Sequence, residues 1–391
     1  VRVKEYTGSF PGAPGWDAGP YATTNYGYEV RDLLQTVSDA ASNQTSMTYD
    51  KLGRKTAMSD PDMGSWSYAY DNLGNLTRQT DARGQRICFY YDEMNRLIGK
   101  IYWSTDTCPT PGPGTPLNVA YTYDQGNNGR GHRTGMSDSS GSTTWTYDDR
   151  GRITSESKVV NGSGTFYTQW SYDALDRVTA MVYPSGNNGG AGEQVNYSYN
   201  TRGLLNSVAN SAGFLYVQFT DYDALGRLDV QWLGAHVLET DYSYYDWVQA
   251  GGRGRLAAIT TASPIPESIL QSLHYTYDAV GNVLTIQDDV APDAKTQHFT
   301  YDDLDRLTYA YAGGQHDPHG YSECYGYSGT DGKIGNLTSK GANNYSYGAQ
   351  SSGCPDGALD KAHAVVAAGS NTFCYDPNGN QVRRVVGTTY N

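Results

Sequence analysis

A tyrosine-aspartate pair recurs along this chain at intervals of about 21 to 28 residues, and the same short sequence follows it each time. The segments Tyr70-Asp71-Asn72-Leu73-Gly74-Asn75 and Tyr222-Asp223-Ala224-Leu225-Gly226-Arg227 are close copies. A fixed period of this length indicates a repeat architecture, in which each unit packs mainly on its neighbours. Such an array usually provides a surface or a container, and less often a single catalytic pocket.

The fourth residue after each repeat tyrosine is glycine, asparagine or aspartate in the ten clearest copies. These residue types tolerate a left-handed backbone best, which is typical of a type I turn followed by a bulge. The Asp after the Tyr can accept a backbone hydrogen bond within the turn. We predict hairpin turns, with a catalytic or metal role for the aspartates as the alternative. The turn positions are Asp50 and Gly53, Asp71 and Gly74, Asp92 and Asn95, Asp148 and Gly151, Asp173 and Asp176, Gly203, Asp223 and Gly226, Asp278 and Gly281, Asp302 and Asp305, and Asp376 and Gly379.

The segments that flank each turn are predicted to be β-strands. Residues 166–171 before the turn at Tyr172, and residues 178–183 after it, are rich in aromatic and β-branched residues and alternate partly with a period of two. No segment carries a sustained helical stripe; residues 357–368 come nearest and are equally compatible with extended structure. The predicted fold class is all-β, an array of antiparallel β-hairpin repeats.

Several copies of the repeat are longer or degenerate. Those that begin at Tyr123, Tyr245 and Tyr327 have extra residues before their Gly-Arg or Gly-Asn end, whereas those at Tyr28 and Tyr345 are degenerate. Insertions at solvated turn tips are well tolerated, so these copies still predict hairpins and bring the total to about fifteen units. We predict an initial segment or partial repeat over residues 1–25 and a continuous array over residues 26–391, incomplete at both ends.

The composition limits the classes of partner. The net charge of −13 disfavours nucleic-acid phosphates and anionic membranes. No apolar run is long enough to span a bilayer, so we predict no membrane-spanning segment. The mean hydropathy of −0.62 is low for a compact sandwich and suits a sheet with large solvated faces or a wet lumen.

The chain has five cysteines but no C-x-x-C motif, so neither a zinc ribbon nor a thioredoxin-like site is indicated. Cys88 and Cys108 are one repeat apart, and we predict a disulfide that holds a proline-rich loop on its parent hairpin. Two of Cys324, Cys354 and Cys374 could form a second disulfide, leaving one thiol free. This usage favours an oxidising, extracellular setting; five unpaired thiols in a reducing compartment are the alternative.

No residue pattern singles out a catalytic site, a cofactor site or a metal site. His316 and His319 share a loop with Asp317, a conceivable metal site that is better explained as a solvated turn. Tryptophans lie near predicted strands at repeat-like offsets, as Trp66 and Trp170 do, and could stack on sugar rings. Packing between neighbouring hairpins explains them more simply. We therefore predict no enzyme activity and no cofactor.

The repeated Tyr-Asp-x-x-Gly-Arg-Leu or Tyr-Asp-x-x-Gly-Asn-Leu unit resembles the YD-repeat family, also called Rhs repeats, from about Tyr26 to Tyr390. Bacterial Rhs polymorphic toxins, insecticidal toxin-complex subunits and animal teneurins belong to that family. The resemblance implies a long antiparallel sheet that spirals into a hollow shell, and residues 363–367 look like the stretch that precedes the last core repeats. We expect the family's self-cleaving core region to lie outside this chain, and we do not assign cleavage to the Asp317-Pro318 pair.

Two functions follow from the resemblance as hypotheses. The first is a non-enzymatic shell scaffold from a large secreted or surface-attached bacterial protein, which encloses and delivers a C-terminal toxin or other cargo. Its partner would be that cargo or the remainder of the parent chain. The second is an extracellular adhesin or structural surface protein whose partner is a cell-surface glycan or protein.

Overall fold

A computed structural model describes residues 1–5, 21–105, 107–110, 116–186, 190–249, 251–265, 267–290, 295–313, 320–387 and 389–390. The chain divides into two compact units. The first unit comprises residues 1–95, 101–113 and 298–391, and the second comprises residues 96–100 and 114–297. His316 and His319 lie outside the described residues.

The regular secondary structure of the described residues is almost entirely β-strand, which confirms the predicted fold class. Up to residue 103 the strands are β1 Arg2–Glu5, β2 Ala22–Tyr28, β3 Leu34–Ser38, β4 Gln44–Tyr49, β5 Lys55–Asp60, β6 Gly64–Tyr70, β7 Leu76–Thr80, β8 Arg86–Tyr91 and β9 Leu97–Trp103. The next group is β10 Val119–Tyr123, β11 Arg133–Asp138, β12 Gly141–Tyr147, β13 Ile153–Val160, β14 Gly164–Tyr172, β15 Val178–Pro184, β16 Ala191–Tyr199, β17 Leu205–Asn210, β18 Leu215–Tyr222, β19 Leu228–Leu233, β20 Leu238–Tyr244, β21 Leu256–Pro264, β22 Glu267–Tyr277 and β23 Val283–Asp288.

The last part of the chain contains shorter strands and one short helix. The elements are β24 Lys295–Tyr301, β25 Leu307–Ala312, β26 Tyr321–Gly326, α1 Gly329–Lys333, β27 Ser339–Lys340, β28 Asn343–Ser346, β29 Gly348–Ala349, β30 Asp360–Lys361, β31 Ala367–Ala368, β32 Asn371–Tyr375, β33 Gln381–Val386 and β34 Thr389–Tyr390. Of the strands described, 32 share one sheet, and β29 pairs with β30. The helix described has neither the length nor the hydrophobicity of a membrane span.

Most consecutive strands pair antiparallel, and many of the repeat hairpins have the same register shift at the tyrosine. In the hairpin of β4 and β5, Thr48 lies opposite Ala57, and the register then shifts so that Tyr49 lies opposite Lys55. The same shift occurs at the tyrosine of other hairpins, for instance at Tyr172. The bulge expected from the turn sequence is therefore present, and it lies at the repeat tyrosine.

The sheet has two chemically different faces because successive side chains of a strand point to opposite sides. The repeat tyrosine and the residue two positions before it, such as Tyr70 and Tyr68, share one face, which we call the aromatic face. The residue immediately before the tyrosine points to the other, small-residue face. Hydroxyl groups often pair there across the hairpin. The pairs are Thr48 with Thr56 (3.1 Å), Thr146 with Thr154 (2.9 Å), Ser198 with Ser207 (2.7 Å), Thr276 with Thr285 (2.6 Å) and Thr300 with Thr308 (3.0 Å).

Several of the buried side chains lie where a disulfide holds a loop on the sheet. Cys88 is fully buried in its disulfide with Cys108, and the Tyr90 hydroxyl donates to the carbonyl oxygen of Pro109 (2.9 Å) on the same loop. A second disulfide joins Cys354, in a loop, to Cys374 on β32. The structure thus contains the disulfide predicted for Cys88 and Cys108 and a second one between two of the three C-terminal cysteines. Cys324 is free and exposed.

The structure refines two details of the repeat assignment. Residues 357–368 contain β30 and β31 and no helix, whereas the helix α1 occupies the insertion that follows Tyr327. In the stretched copy near residue 245, the residue equivalent to the repeat tyrosine is Tyr244, and the assignment of Tyr245 was wrong. Tyr244 lies opposite Leu256 at the register shift, as Tyr49 lies opposite Lys55.

Replacing Gly226 by valine should destabilise the chain by about 1–2 kcal/mol, because a β-branched residue is forced into left-handed geometry. Gly226 has a φ of +81°, and the side-chain atoms nearest to an added Cβ are 3.8 and 3.9 Å away, so the cost arises from the backbone. Chemical denaturation measures the difference. Gly226→Asn is the control and should be nearly neutral, since Asn95 occupies the equivalent position with a φ of 60°. Equal effects of valine and asparagine would contradict this explanation.

The disulfide assignment predicts how many thiols react with an alkylating reagent. The unreduced, denatured chain should take up one adduct, on Cys324, and the reduced chain five, which intact-mass spectrometry resolves. A Cys324→Ser variant should take up none before reduction. Loss of the Cys88–Cys108 disulfide should lower the free energy of unfolding by about 2–4 kcal/mol, because the intact disulfide restricts the unfolded chain by closing a loop in it. Two or more adducts on the unreduced wild-type chain would argue against the assignment.

Candidate functional site: turn row and end-to-end contact

The aspartates of the repeats form the hairpin turns. In the turn at Asp50, one carboxylate oxygen accepts the backbone N–H groups of Leu52 (2.9 Å) and Arg54 (3.0 Å), and Gly53 has a φ of 80°. The backbone N–H of Arg54, against the opposing effect of desolvation, keeps the pKa of Asp50 below its ordinary value. The carboxylates of Asp71, Asp92, Asp148, Asp173, Asp223, Asp278, Asp302 and Asp376 likewise accept the N–H two residues on.

The residue four positions after each tyrosine has a positive φ, which explains its restricted chemistry. The values are 93° at Gly74, 60° at Asn95, 79° at Gly151, 64° at Asp176, 80° at Gly203, 81° at Gly226, 118° at Gly281, 59° at Asp305 and 84° at Gly379. The aspartates among them, Asp176 and Asp305, occupy the position of the glycines and do not belong to a carboxylate pair formed for catalysis. These residues therefore set the shape of the turns.

Where an arginine follows the turn, it can tie that turn to the next one. Arg54 Nε donates to the carboxylate of Asp50 (2.6 Å), and its Nη1 donates to the backbone oxygen of Asp71 (2.8 Å) in the following turn. Its guanidinium lies over the ring of Tyr70, 4.9 Å from the centroid. Arg152 repeats all three contacts, with Asp148, Asp173 and Tyr172. Arg227 and Arg306 likewise bond their own turn and the next, over the rings of Tyr244 and Tyr327.

The repeat tyrosine ties its strand to the preceding hairpin. The Tyr70 hydroxyl donates to the backbone oxygen of Lys55 (2.8 Å), the first residue of β5. Burial raises the pKa of Tyr70, which keeps the hydroxyl a donor. Equivalent bonds are made by Tyr49, Tyr91, Tyr123, Tyr147, Tyr172, Tyr199, Tyr222, Tyr244 and Tyr277. Sequence reasoning missed these ties, although the invariant tyrosine was a signal for them.

A row of exposed apolar side chains was also missed. It occupies the position just before the positive-φ residue of many turns, where side chains point into solvent. These residues are between 62% and 75% exposed: Leu52, Leu73, Met94, Leu175, Leu225 and Val280. They contribute little to hairpin packing.

A second cluster brings the two ends of the first unit together, and we call it the end-to-end contact. Its residues are Asp39, Asp62, Arg83, Lys361, His363 and Asp376. Lys361 is only 2% exposed, and its Nζ donates to the backbone oxygen of Asp62 (2.5 Å). The His363 backbone N–H donates to the Asp62 carboxylate (3.0 Å). The His363 ring faces that carboxylate through Nδ1 (2.5 Å) and the carboxylate of Asp39 through Nε2 (3.2 Å).

The last hairpin turn completes the end-to-end contact. The buried carboxylate of Asp376 receives Arg83 Nη1 (3.1 Å), 293 residues earlier in the chain. Asn378 Nδ2 donates to the carboxylate of Asp81 (2.6 Å). A Cβ on Gly64, whose φ is +68°, would come within 2.9 Å of the Pro377 backbone oxygen, so the two turns approach closely. Each end of the first unit therefore supplies basic groups that contact the turns of the other end.

Other clusters do not have the geometry of a catalytic or metal site. Ser272 Oγ and the carboxylate of Asp289 both face Nε2 of His274, at 3.4 and 3.0 Å. In a nucleophilic triad the serine and the carboxylate contact different nitrogens of the histidine ring, so these three residues do not form one. Within the described ranges, no group of three or more His, Cys, Asp or Glu side chains could hold a metal ion.

Comparisons with known proteins identify the repeat. Residues 70–107 match the sequence model of the RHS repeat. This chain carries an RHS repeat. A search of curated proteins gives no match.

Solved structures match this RHS-repeat chain over nearly its whole length. The crystal structure of TcdB2-TccC3 covers 98% of it at 18% identity with a TM-score of 0.72, and TcdB2-TccC3-Cdc42 covers 99% at 18% identity with a TM-score of 0.71. A Tc holotoxin pore from Photorhabdus luminescens, with a mutation in TccC3, covers 99% at 18% identity with a TM-score of 0.73. The match takes up 22%, 21% and 21% of those chains, so this chain spans about a fifth of their length.

The electrostatics of the end-to-end contact in this RHS-repeat chain make it sensitive to pH. Desolvation lowers the pKa of His363, but the hydrogen bonds and charges of Asp62 and Asp39 outweigh it, so the net pKa is raised above the ordinary 6.5. Desolvation also lowers the pKa of Lys361, despite the nearby carboxylates of Asp62, Asp376 and Asp60. The imidazolium form of His363 satisfies both carboxylates at once, because each ring nitrogen then donates.

The end-to-end contact should therefore be tighter near pH 6 than near pH 9. A raised folded-state pKa means that the stabilisation is fully present below the unfolded pKa and is lost as the pH rises through the folded pKa. Since the His363 side chain is 41% exposed, we expect only about 0.5–1 kcal/mol. Hydrogen exchange of residues 361–386 as a function of pH, compared with the intrinsic rates, measures the change.

The variant His363→Gln should remove this pH dependence and resemble the wild type at pH 9. His132→Gln is the matched control, because His132 stacks on Tyr147 in the second unit and should leave the exchange of residues 361–386 unchanged. Wild-type exchange protection that stays constant from pH 6 to 9, or a His363→Gln variant with the same pH profile as the wild type, would refute the assignment.

Proposed function

We propose that this RHS-repeat chain is part of the wall of a β-shell that encloses a C-terminal toxin or other cargo segment of its parent protein. The observation that carries the proposal is the fold likeness to TcdB2-TccC3 structures over 98–99% of this chain. One similar structure is described as TcdB2-TccC3 without its hypervariable C-terminal region. A variable C-terminal segment beside a constant shell is the arrangement we propose here.

The contacts of the described residues suit a wall. Arginine ties join neighbouring turns, and tyrosine ties join neighbouring strands, as Arg152 and Tyr172 show. A sheet linked at each repeat can extend without a deep core, since each unit needs only its neighbours. The end-to-end contact, through Lys361 and His363, then fixes the last repeats on the first ones.

We propose a scaffold and not an enzyme. The aspartates serve as turn residues, and their carboxylates are occupied by backbone N–H groups, as at Asp50 and Asp223. The geometry of Ser272, His274 and Asp289 does not support nucleophilic catalysis. The function then depends on physical enclosure.

We also propose a secreted or surface-attached location. Two disulfides, Cys88–Cys108 and Cys354–Cys374, persist most readily in oxidising compartments. The likeness to a Tc holotoxin pore supports an extracellular role for the parent protein.

Limited proteolysis of the full parent protein tests enclosure. Any segment that follows residue 391 should be cleaved about tenfold or more slowly in the parent than when it is expressed alone, because the wall blocks the protease. A double variant, Arg54→Ala with Arg152→Ala, removes inter-turn ties in both units and should reduce the protection. Quantitative mass spectrometry of the fragments gives the rates.

Lys51→Ala is the matched control for the arginine variant, because Lys51 is exposed on the same turn as Arg54 and should leave protection unchanged. Equal cleavage rates for the free and the attached segment would contradict the enclosure proposal. A parent protein that ends directly after the repeats would do the same.

A further inference from the structure

An aromatic-walled trough crosses strands β6 to β9 on the aromatic face, and all its lining residues belong to the first unit. Its volume is about 280 Å³. Trp66 on β6 and Tyr102 on β9 form the walls, while Gln79 on β7 and Ile87 on β8 lie opposite each other between them. Three strand spacings separate the walls, about 14 Å. Tyr102 is 58% exposed, so the trough is open to solvent.

Most charged and polar groups around the trough are engaged within the protein. The indole N–H of Trp66 donates to the backbone oxygen of Met63 (2.9 Å), which fixes the ring and leaves its face as the available surface. The carboxylate of Asp81 accepts two N–H groups of its own turn (3.0 and 2.8 Å) and an asparagine amide (2.6 Å). Arg86 donates to a backbone oxygen (3.2 Å). The trough therefore presents no charge that requires an ionic ligand.

Two carboxamides remain uncommitted. The side chains of Gln79 and Gln85 line the trough and make no hydrogen bond to the residues that the structure describes. A carboxamide both donates and accepts, which matches a sugar hydroxyl, and an aromatic face packs against the C–H groups of a sugar ring. We propose that this trough is a binding subsite for a neutral glycan, with Trp66 as the stacking platform and Gln79 and Gln85 as partners for hydroxyl groups.

The same geometry disfavours the other ligand class that aromatic grooves accept, a proline-rich peptide. The indole N–H of Trp66, which could donate to a carbonyl group of such a peptide, is bonded to Met63, so only the two carboxamides remain as donors for it. The net charge of −13 also works against an anionic glycan. A neutral glycan uses the free ring face and both amides without needing the indole N–H.

The inference goes beyond cargo enclosure and does not depend on it. A glycan subsite on the wall would let the parent protein attach to carbohydrate while carrying its cargo. Either proposal, cargo enclosure or glycan binding, can be refuted without the other, because glycan binding is measured on this chain without any cargo.

The test is binding of neutral oligosaccharides to the full chain by ligand-observed NMR and calorimetry. The probes are cello-, malto- and chito-oligosaccharides and lactose, with sialyllactose as the anionic comparison and a proline-rich peptide as the competing class. We expect at least one neutral sugar to bind. Trp66→Ala should weaken it by about tenfold or more, and Gln79→Ala by about fivefold.

Trp247→Ala is the matched control, because Trp247 is 63% exposed but lies in the second unit, outside the trough. The affinity of the Trp247→Ala variant for the sugar should equal that of the wild type. Trp66→Phe keeps a ring, so it should retain part of the affinity and tests the proposal even if Trp66→Ala fails to fold. The proposal is overturned if no neutral sugar binds, if binding survives the loss of the Trp66 ring, or if only the peptide binds at Trp66.

Discussion

The rest of the structure depends on one repeated interaction, an arginine that contacts two turns and one ring. Arg54 bonds the carboxylate of its own turn, the backbone oxygen of the next turn and, through its face, the ring of Tyr70. Each contact is modest by itself, because exposed ion pairs and cation–π contacts contribute about 1 kcal/mol or less. Repetition along the chain converts them into continuous reinforcement of the turn edge.

This reinforcement explains how a chain of low hydrophobicity holds a long sheet. Few side chains are deeply buried in the described residues, and several of them surround the two disulfides, as Cys88 and Tyr90 do. Elsewhere the sheet exposes both faces in part, with rings on one and paired hydroxyls on the other. Cross-strand pairs and inter-hairpin bonds replace the core that a sandwich would have. Stability is then gained repeat by repeat.

The sequence predicted what depends on local interactions and missed what depends on neighbours. The turn role of Asp71 and Gly74 follows from residues within one turn, so their spacing was sufficient. The tyrosine tie joins residues 15 apart in the case of Tyr70 and Lys55, and no rule for a single hairpin reveals it. The same tie identifies Tyr244 as a repeat tyrosine, which the Tyr245-Asp246 pair obscured. The contact of His363 with Asp39 spans 324 residues, and nothing local indicates it.

The end-to-end contact completes one of the turns in which asparagine takes the place of the arginine. In most turns the arginine four residues after the aspartate neutralises it. The turns at Asp71, Asp278 and Asp376 instead have Asn75, Asn282 and Asn380 there, and each asparagine donates only an amide. At Asp376, Arg83, from a turn near the other end of the chain, supplies the missing guanidinium (3.1 Å). A buried carboxylate without a cation would be costly, so the last turn is complete only when the two ends meet. At this turn the cation thus comes from a distant residue instead of from the turn itself.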